Sequence, residues 1–299
     1  MPADRPLVEV RCFGDFTVTS GDREIGASGE EGASFKAWEV LAFLAAQPTG
    51  AVAKEKILAA VWPDVDAERA GARLRTALTR LRALLAGQVP NLSGDVVRAE
   101  RNGIRRLDTS LVASDVHQFV LLLRTATKLP PDEAKAALIE ARKLYSGDLL
   151  SGRSAGFYEW VEERDGSGVT LREHYREEFY RATQRLARLY YQEEQAALAV
   201  PLYKELLKAE PTLEDVVREL YRCYQYLGDL TSLIREDRHL RQALREAYAD
   251  PDDPVSDPQD YQPEPETVAL FSEIRRELEG RSFDAARRSR SARSDRGGR

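Results

Sequence analysis

Leu74, Leu78, Leu81 and Leu85 recur at steps of four, three and four. That spacing commits Ala67–Ala86 to one amphipathic helix whose leucine stripe faces a core. At about 100° per residue the opposite arc carries Arg69, Arg73, Arg75, Thr76, Thr79 and Arg80, with Arg82 on its flank. Arginine reaches guanine edges or phosphates, and threonine reaches phosphates or a thymine methyl, so such a face suits a DNA groove. Taken alone, the same face also describes a solvated, arginine-rich surface helix.

The neighbouring sequence separates the two readings. A shorter helical run, Lys54 to Trp62, comes before it, followed by a turn with Pro63, Asp64 and Asp66. After it, Val96 to Leu107 forms two short runs around Asn102-Gly103, the dipeptide typical of a two-residue hairpin turn. Helix, turn, helix, hairpin is the order of a winged helix. Residues 67–106 hold nine arginines against Glu68, Asp95 and Glu100, although the whole chain is acidic, with a net charge of −6. Residues 1–112 are neutral overall, 113–280 carry a net −11 and 281–299 a net +5, which describes a locally basic reader on an acidic body.

Ahead of the helices, Leu7–Phe13 alternates with Val8, Val10 and Cys12 on one side. Phe16–Thr19 and Arg23–Ile25 follow as further short antiparallel strands. Residues 26–34 read as a loop, and 36–46 as an apolar helix whose Trp38, Leu41, Phe43 and Leu44 are core; Trp62 closes the core beneath the helix turn. Cys12 and Cys223 fit buried free thiols, and His117, His174 and His239 are too scattered for zinc. No apolar run of about 18 residues or signal peptide is present, so a cytoplasmic chain without membrane contact is expected.

Several of these stretches carry a family resemblance. Ile57-Leu-Ala-Ala-Val-Trp-Pro63, Arg73-Leu-Arg-Thr-Ala-Leu-Thr-Arg-Leu-Arg82, Asn102-Gly-Ile-Arg-Arg-Leu107, Asp115-Val-His-Gln-Phe119 and Leu144-Tyr-Ser-Gly-Asp-Leu-Leu150 resemble the bacterial transcriptional activator family of the antibiotic-regulatory type. Its members join an OmpR-like winged helix to an all-helical activator domain, and the resemblance covers nearly all of residues 7–275. It implies that 67–86 is the recognition helix, that Arg101 and Asn102 form the wing tip, and that the turn holding Asp64, Val65 and Asp66 can meet RNA polymerase. Residues 72–82 would then enter the major groove, Arg73, Thr76, Thr79 and Arg80 towards bases or flanking phosphates, Arg75 and Arg82 towards phosphates. Arg101 would reach the adjacent minor groove. The sequence departs from its relatives at Glu30-Glu31, at Ile104 in the wing and at Ala53, where a Ser or Thr cap is usual.

Downstream, 116–128 and 132–146 read as helices joined at Pro130-Pro131, leading into a loop over 147–156, and Phe157-Tyr-Glu-Trp160 opens a further helical stretch docked by its aromatics. Leu186, Tyr190, Leu206 and Pro211 fit a tetratricopeptide-like helix pair. Leu220, Tyr224 and Leu240 recur 34 residues later, with Gly228 at the turn and Pro201 either near a helix start or at a kink. The expected architecture is therefore mainly α. A winged helix with short strands and a wing hairpin (1–112) is followed by a tetratricopeptide-like helical domain (113–249), a Pro/Asp linker (250–265), a last helix (266–280) and a disordered arginine-rich tail (281–299).

No phosphate-binding glycine loop, His-Glu-x-x-His or Gly-x-Ser-x-Gly motif occurs. The sequence therefore points away from an enzyme, with no catalytic residue, cofactor or metal expected. It favours a transcription regulator, more an activator than a repressor, with double-stranded DNA as partner and with RNA polymerase contact, signal coupling and homodimerisation open to the helical half. An interaction scaffold that has lost DNA binding, and the cytosolic end of a longer membrane-anchored regulator, remain the rival readings.

Overall fold

Alternating apolar residues at the start of the chain build the first sheet. β1 (Val8–Arg11) pairs antiparallel with β2 (Thr17–Ser20), which pairs with β3 (Arg23–Ala27), and Val8, Val10 and Val18 are buried. The structure, a computed structural model, describes residues 6–27, 34–152, 156, 158–248 and 262–294, with side chains left aside at 27 and 282–294. It divides into two compact units, Met1–Phe179 and Tyr180–Arg299.

In the first unit α1 (Phe35–Ala45) is buried on almost every face, and Trp38, Leu41, Phe43 and Leu44 are all core. Gly26 has a packing reason, since a Cβ there would lie 2.8 Å from the Trp38 ring. β4 (Ala51–Ala53), α2 (Lys54–Val61), α3 (Ala67–Ala86), β5 (Val97–Ala99) and β6 (Ile104–Leu107) follow, and β4, β6 and β5 form a three-stranded sheet in that order. β7 (Val112–Ser114) returns to lie parallel to β1, Val8 opposite Val112, completing the first sheet as β3-β2-β1-β7. Neither β4 nor β7 is legible in the sequence, because a three-residue strand has no period to detect. The expected loop at 26–34 gives way to β3 as far as Ala27, and residues 28–33 lie outside the described residues.

α4 (Asp115–Ala126) and α5 (Pro131–Leu144) pack on each other, and α4 packs on β1 and β7. Asp115 is the hinge pin. Its carboxylate accepts the backbone N–H of Cys12 at 2.9 Å, of Phe13 at 2.9 Å and of Val116 at 2.8 Å. The Leu144–Leu150 segment closes on the same corner. Leu150 N–H donates to the Cys12 carbonyl, Gly14 N–H to the Asp148 carbonyl and the Ser146 hydroxyl to the Phe13 carbonyl. Phe13 sits among the rings of Phe119, Tyr145 and Tyr175 at 4.8–5.7 Å. Tyr145 and the Arg176 guanidinium both donate to the Asp148 carboxylate. Burial pushes that carboxyl up, but these donors outweigh it and hold it below its ordinary value.

The stretch expected to open a helix at 157–160 is instead a single 3-10 turn, Glu159–Val161, and Phe157 lies outside the described residues. Its aromatic rings set its shape: Tyr158 stacks on Phe35 and meets Phe16 edge-on, while Trp160 meets Phe43 edge-on at 4.9 Å. α6 (Leu171–Gln192) begins only after a loop in which Asp165 accepts from Ser167. The Tyr175 hydroxyl donates to the Ala46 carbonyl at 2.8 Å.

The second unit stacks the end of α6 with α7 (Ala196–Ala209), α8 (Glu214–Leu227) and α9 (Leu230–Tyr248). Leu186, Leu206, Leu220, Tyr224 and Leu240 are buried, Tyr190 is half-buried and Pro211 is exposed. Pro201 is the sixth residue of α7, inside the helix, where it removes the N–H that would bond to the Ala197 carbonyl, and Gly228 caps α8 in the left-handed conformation at φ 70°. α10 (Pro265–Ser294) starts on a proline, suited to a first helical position, and buries Thr267, Ile274 and Leu278. It runs through 281–294, where the composition predicted disorder. The Ala and Arg content there favours helix, and Arg281 pairs with Glu277 one turn back. Linker residues 250–261 and tail residues 295–299 lie outside the described residues. Among the described residues no helix is long and apolar enough to cross a membrane.

Candidate nucleic-acid interface

Three local devices place the arginine face. Ala53 gives α2 no side-chain cap; its backbone belongs to β4, paired with Ile104 of β6, so the wing sheet fixes the start of α2 in place of a hydroxyl. Trp62 ends α2 in the core, and the Val65 N–H donates to its carbonyl at 3.2 Å. Asp66 then caps α3, accepting from the Arg69 N–H at 3.0 Å, and Glu68 adds a negative charge in the first turn. In the 64–66 turn, Asp64 is exposed, Val65 is half-buried and Asp66 is spent largely on the cap.

α3 spans the twenty residues that the leucine spacing indicates. Its buried face is Ala70, Gly71, Leu74, Ala77, Leu81 and Leu85. Leu78, expected within that stripe, is only half-buried and borders a 150 Å³ recess beside Val96 and Val97 of the wing. Five buried apolar side chains, Ala70, Leu74, Ala77, Leu81 and Leu85, anchor the helix from behind, each leucine contributing about 1.5–3 kcal/mol. Arg69, Arg73, Arg75, Thr76, Thr79, Arg80 and Arg82 all lie off that buried face, and all seven are exposed. Helical spacing sets Arg69, Arg73, Thr76 and Arg80 in one line, and Arg75, Thr79 and Arg82 in a second.

These side chains are not equivalent. Arg82 makes a two-pronged pair with Asp95, its Nη2 at 2.7 Å, and holds that carboxyl below its ordinary value. On the wing, Arg106 pairs with Glu100 and Arg98 with Asp108; at the start of α3, Arg69 Nε lies 3.4 Å from Asp66. Among the described residues no carboxylate is paired with Arg73, Arg75 or Arg101. The Thr76 hydroxyl donates to the Ala72 carbonyl at 3.2 Å and the Thr79 hydroxyl to the Arg75 carbonyl at 2.9 Å, so each satisfies its proton within α3.

The wing turn differs from the expected two-residue type. Glu100 N–H donates to the Ile104 carbonyl at 2.9 Å, enclosing a three-residue turn, Arg101–Gly103, with Asn102 at φ 63° and Gly103 at φ 78°. Asn and Gly are the residues that tolerate two consecutive left-handed positions, and the result leaves Arg101 and Asn102 exposed at the tip.

Among the described residues no group of three or more His, Cys, Asp and Glu could hold a metal ion. Cys12 and Cys223 are buried free thiols, and burial pushes Cys223 up to about 12. His117 is packed beneath Gly50, where burial lowers its basicity.

The family model described as "Bacterial transcriptional activator domain" matches residues 114–275. Its match begins at the end of β7, inside the first unit, and runs through the second. A solved structure, "Mycobacterium tuberculosis EmbR in complex with low affinity phosphopeptide", is similar in fold. Its TM-score is 0.62 at 19% identity, and the alignment covers 94% of this chain and 70% of that one. No curated protein matches the sequence.

Proposed function

This chain belongs to the bacterial transcriptional activator domain family, a family of transcription regulators, and on that premise we propose that it activates transcription by reading promoter DNA through α3 and the wing. The observation that carries the reading is the contrast across α3. One face is locked into the core, while the other presents arginines and threonines, and the wing adds an exposed Arg101–Asn102 tip. In this reading α3 enters the major groove. Arg73, with Thr76, Thr79 and Arg80, meets base edges or the phosphates beside them; Arg75 takes a phosphate, and the wing tip meets the neighbouring minor groove. The hydroxyls of Thr76 and Thr79 are spent on their own helix, which leaves their methyl groups as the parts suited to a thymine methyl.

Arg82, Arg98 and Arg106 are tied to carboxylates, so their contribution in the complex requires exchange of Asp95, Asp108 or Glu100 for a phosphate. Asp64 is the exposed acid that does not cap α3 in the turn through which RNA polymerase would be met, and the helical half would couple protomers, polymerase or a signal. A gel shift on the gene's own upstream DNA across a salt series, with and without the last 19 residues, tests the proposal. Sequence-specific binding that weakens steeply with salt supports it. Absence of binding at low salt favours the scaffold reading, for which the pairing of wing arginines with carboxylates speaks.

A further inference from the structure

A cavity of about 410 Å³ opens beside α2, within the first unit. Its walls are the end of α1 (Phe43, Gln47), the outer face of α2 (Lys56, Ala60), Trp160 and the start of α6. We propose that this cavity binds a small aromatic carboxylic acid, its ring against Phe43 and Trp160 and its carboxylate on Lys56. This inference stands apart from DNA reading, since no residue of the arginine face lines the cavity.

Three observations carry it. The volume falls in the range of sites that hold small organic ligands. Phe43 and Trp160, edge to face at 4.9 Å, give an aromatic wall, and the small side chain of Ala60 leaves the α2 side open. Two donors at the site are incompletely matched, one with no acceptor and one with a neutral acceptor only. Trp160 is 4% exposed, and its indole N–H has no acceptor among the described residues, which is unfavourable for a buried donor. The Lys56 ammonium donates to the neutral Gln47 amide oxygen at 3.3 Å and has no carboxylate partner among the described residues.

The other charges around the cavity are engaged with the 162–173 loop itself. Asp165 accepts from Ser167, and Arg164 donates to the Gly168 carbonyl and pairs with Glu173. Glu163 is exposed on the rim beside them and disfavours a second negative charge, so the fitting ligand is a monoanion.

The experiment uses the full chain labelled with ¹⁵N, with the Trp160 indole signal assigned through Trp160→Phe. Phenylacetate, salicylate and indole-3-acetate are each titrated against the corresponding amide. At least one acid is expected to shift the Trp160 signal saturably with a Kd below about 1 mM, and its amide to bind tenfold or more weakly. Lys56→Gln, an exposed substitution that leaves the core intact, should erase the preference for the acid. Ala60→Leu should abolish the shift by filling the space. If none of the three acids moves the signal, or if the shift persists in Ala60→Leu, the proposal is overturned.

Discussion

The outer face of α3 and the corner where β1 meets α4 are both rich in charge, and they use it in opposite ways. At the corner, the buried Asp115 carboxylate takes three backbone N–H groups, and the half-buried Asp148 carboxylate takes Arg176 and Tyr145. On α3, Arg73 and Arg75 stand in water without a carboxylate partner among the described residues, and each pair that does form there or on the wing has an exposed arginine. Charge that is buried and fully bonded fixes a fold, because removing one partner strands the others. Charge held in solvent by a rigid support contributes little to stability and remains available to a ligand.

The difference can be broken at either end. The largest effect is expected from Asp115→Ala. It strands the N–H groups of Cys12, Phe13 and Val116 in the core and should cost about 3 kcal/mol or more, read as a lower midpoint in denaturant unfolding, with α3 unchanged. The same residue gives a pH signature. Burial pushes its carboxyl up to about 6 from 3.8, so the folded state holds a proton that the unfolded state has released. The stability contribution of this group is fully present below about pH 4, falls as pH rises to about 6 and is flat above. Asp115→Asn should remove that slope, as measured by unfolding at a series of pH values. A slope that survives the substitution assigns it to another group.

Next in size is Arg73→Ala with Arg75→Ala. The pair should lower specific DNA affinity by about ten- to a hundredfold, and the salt slope should flatten by about one unit for each phosphate that no longer meets an arginine. Thermal stability should change by no more than about 0.5 kcal/mol, since both side chains are exposed. A stability loss matching that of Asp115→Ala would erase the contrast between the two regions. The smallest effect is expected from Asp95→Asn, which releases Arg82. DNA affinity should rise about two- to threefold at low salt, and stability should shift by less than about 0.5 kcal/mol because the pair is solvent-screened. Weaker DNA binding would mean that Asp95 positions Arg82 for its phosphate.

The two regions are also unequally legible in the sequence. α3 declares itself through a leucine period from Leu74 to Leu85, and the winged-helix order of α2, turn, α3 and wing follows from local spacing and from Asn102-Gly103. The corner does not declare itself, because each of its links spans a long sequence separation. β7 is three residues long, Asp115 and Cys12 are 103 residues apart, and Tyr175 reaches Ala46 across 129. Nothing in the period of Leu144–Leu150 indicates that its backbone bonds to residues 12–14; the family resemblance marks the segment but not its task. The candidate site is legible as a face and not as a pairing scheme. Asp95 stands thirteen positions from Arg82 in a loop of no regular period, so the tie between them appears only in three dimensions. The three-residue wing turn stays hidden for a narrower reason: Asn102-Gly103 also fits the commoner two-residue turn.

The parallel pairing of β7 with β1 has a consequence for how the reading head can be moved. A chain cut after residue 112 would lose the partner of β1 beyond Val8, the carboxylate that gathers Cys12 and Phe13, and the rings that enclose Phe13. The head is therefore no cassette that recombination can lift out at the end of the wing. A transplant that keeps its shape has to carry α4, α5 and the opening turns of α6 with it, so swapping regulators between promoters exchanges part of the helical half as well.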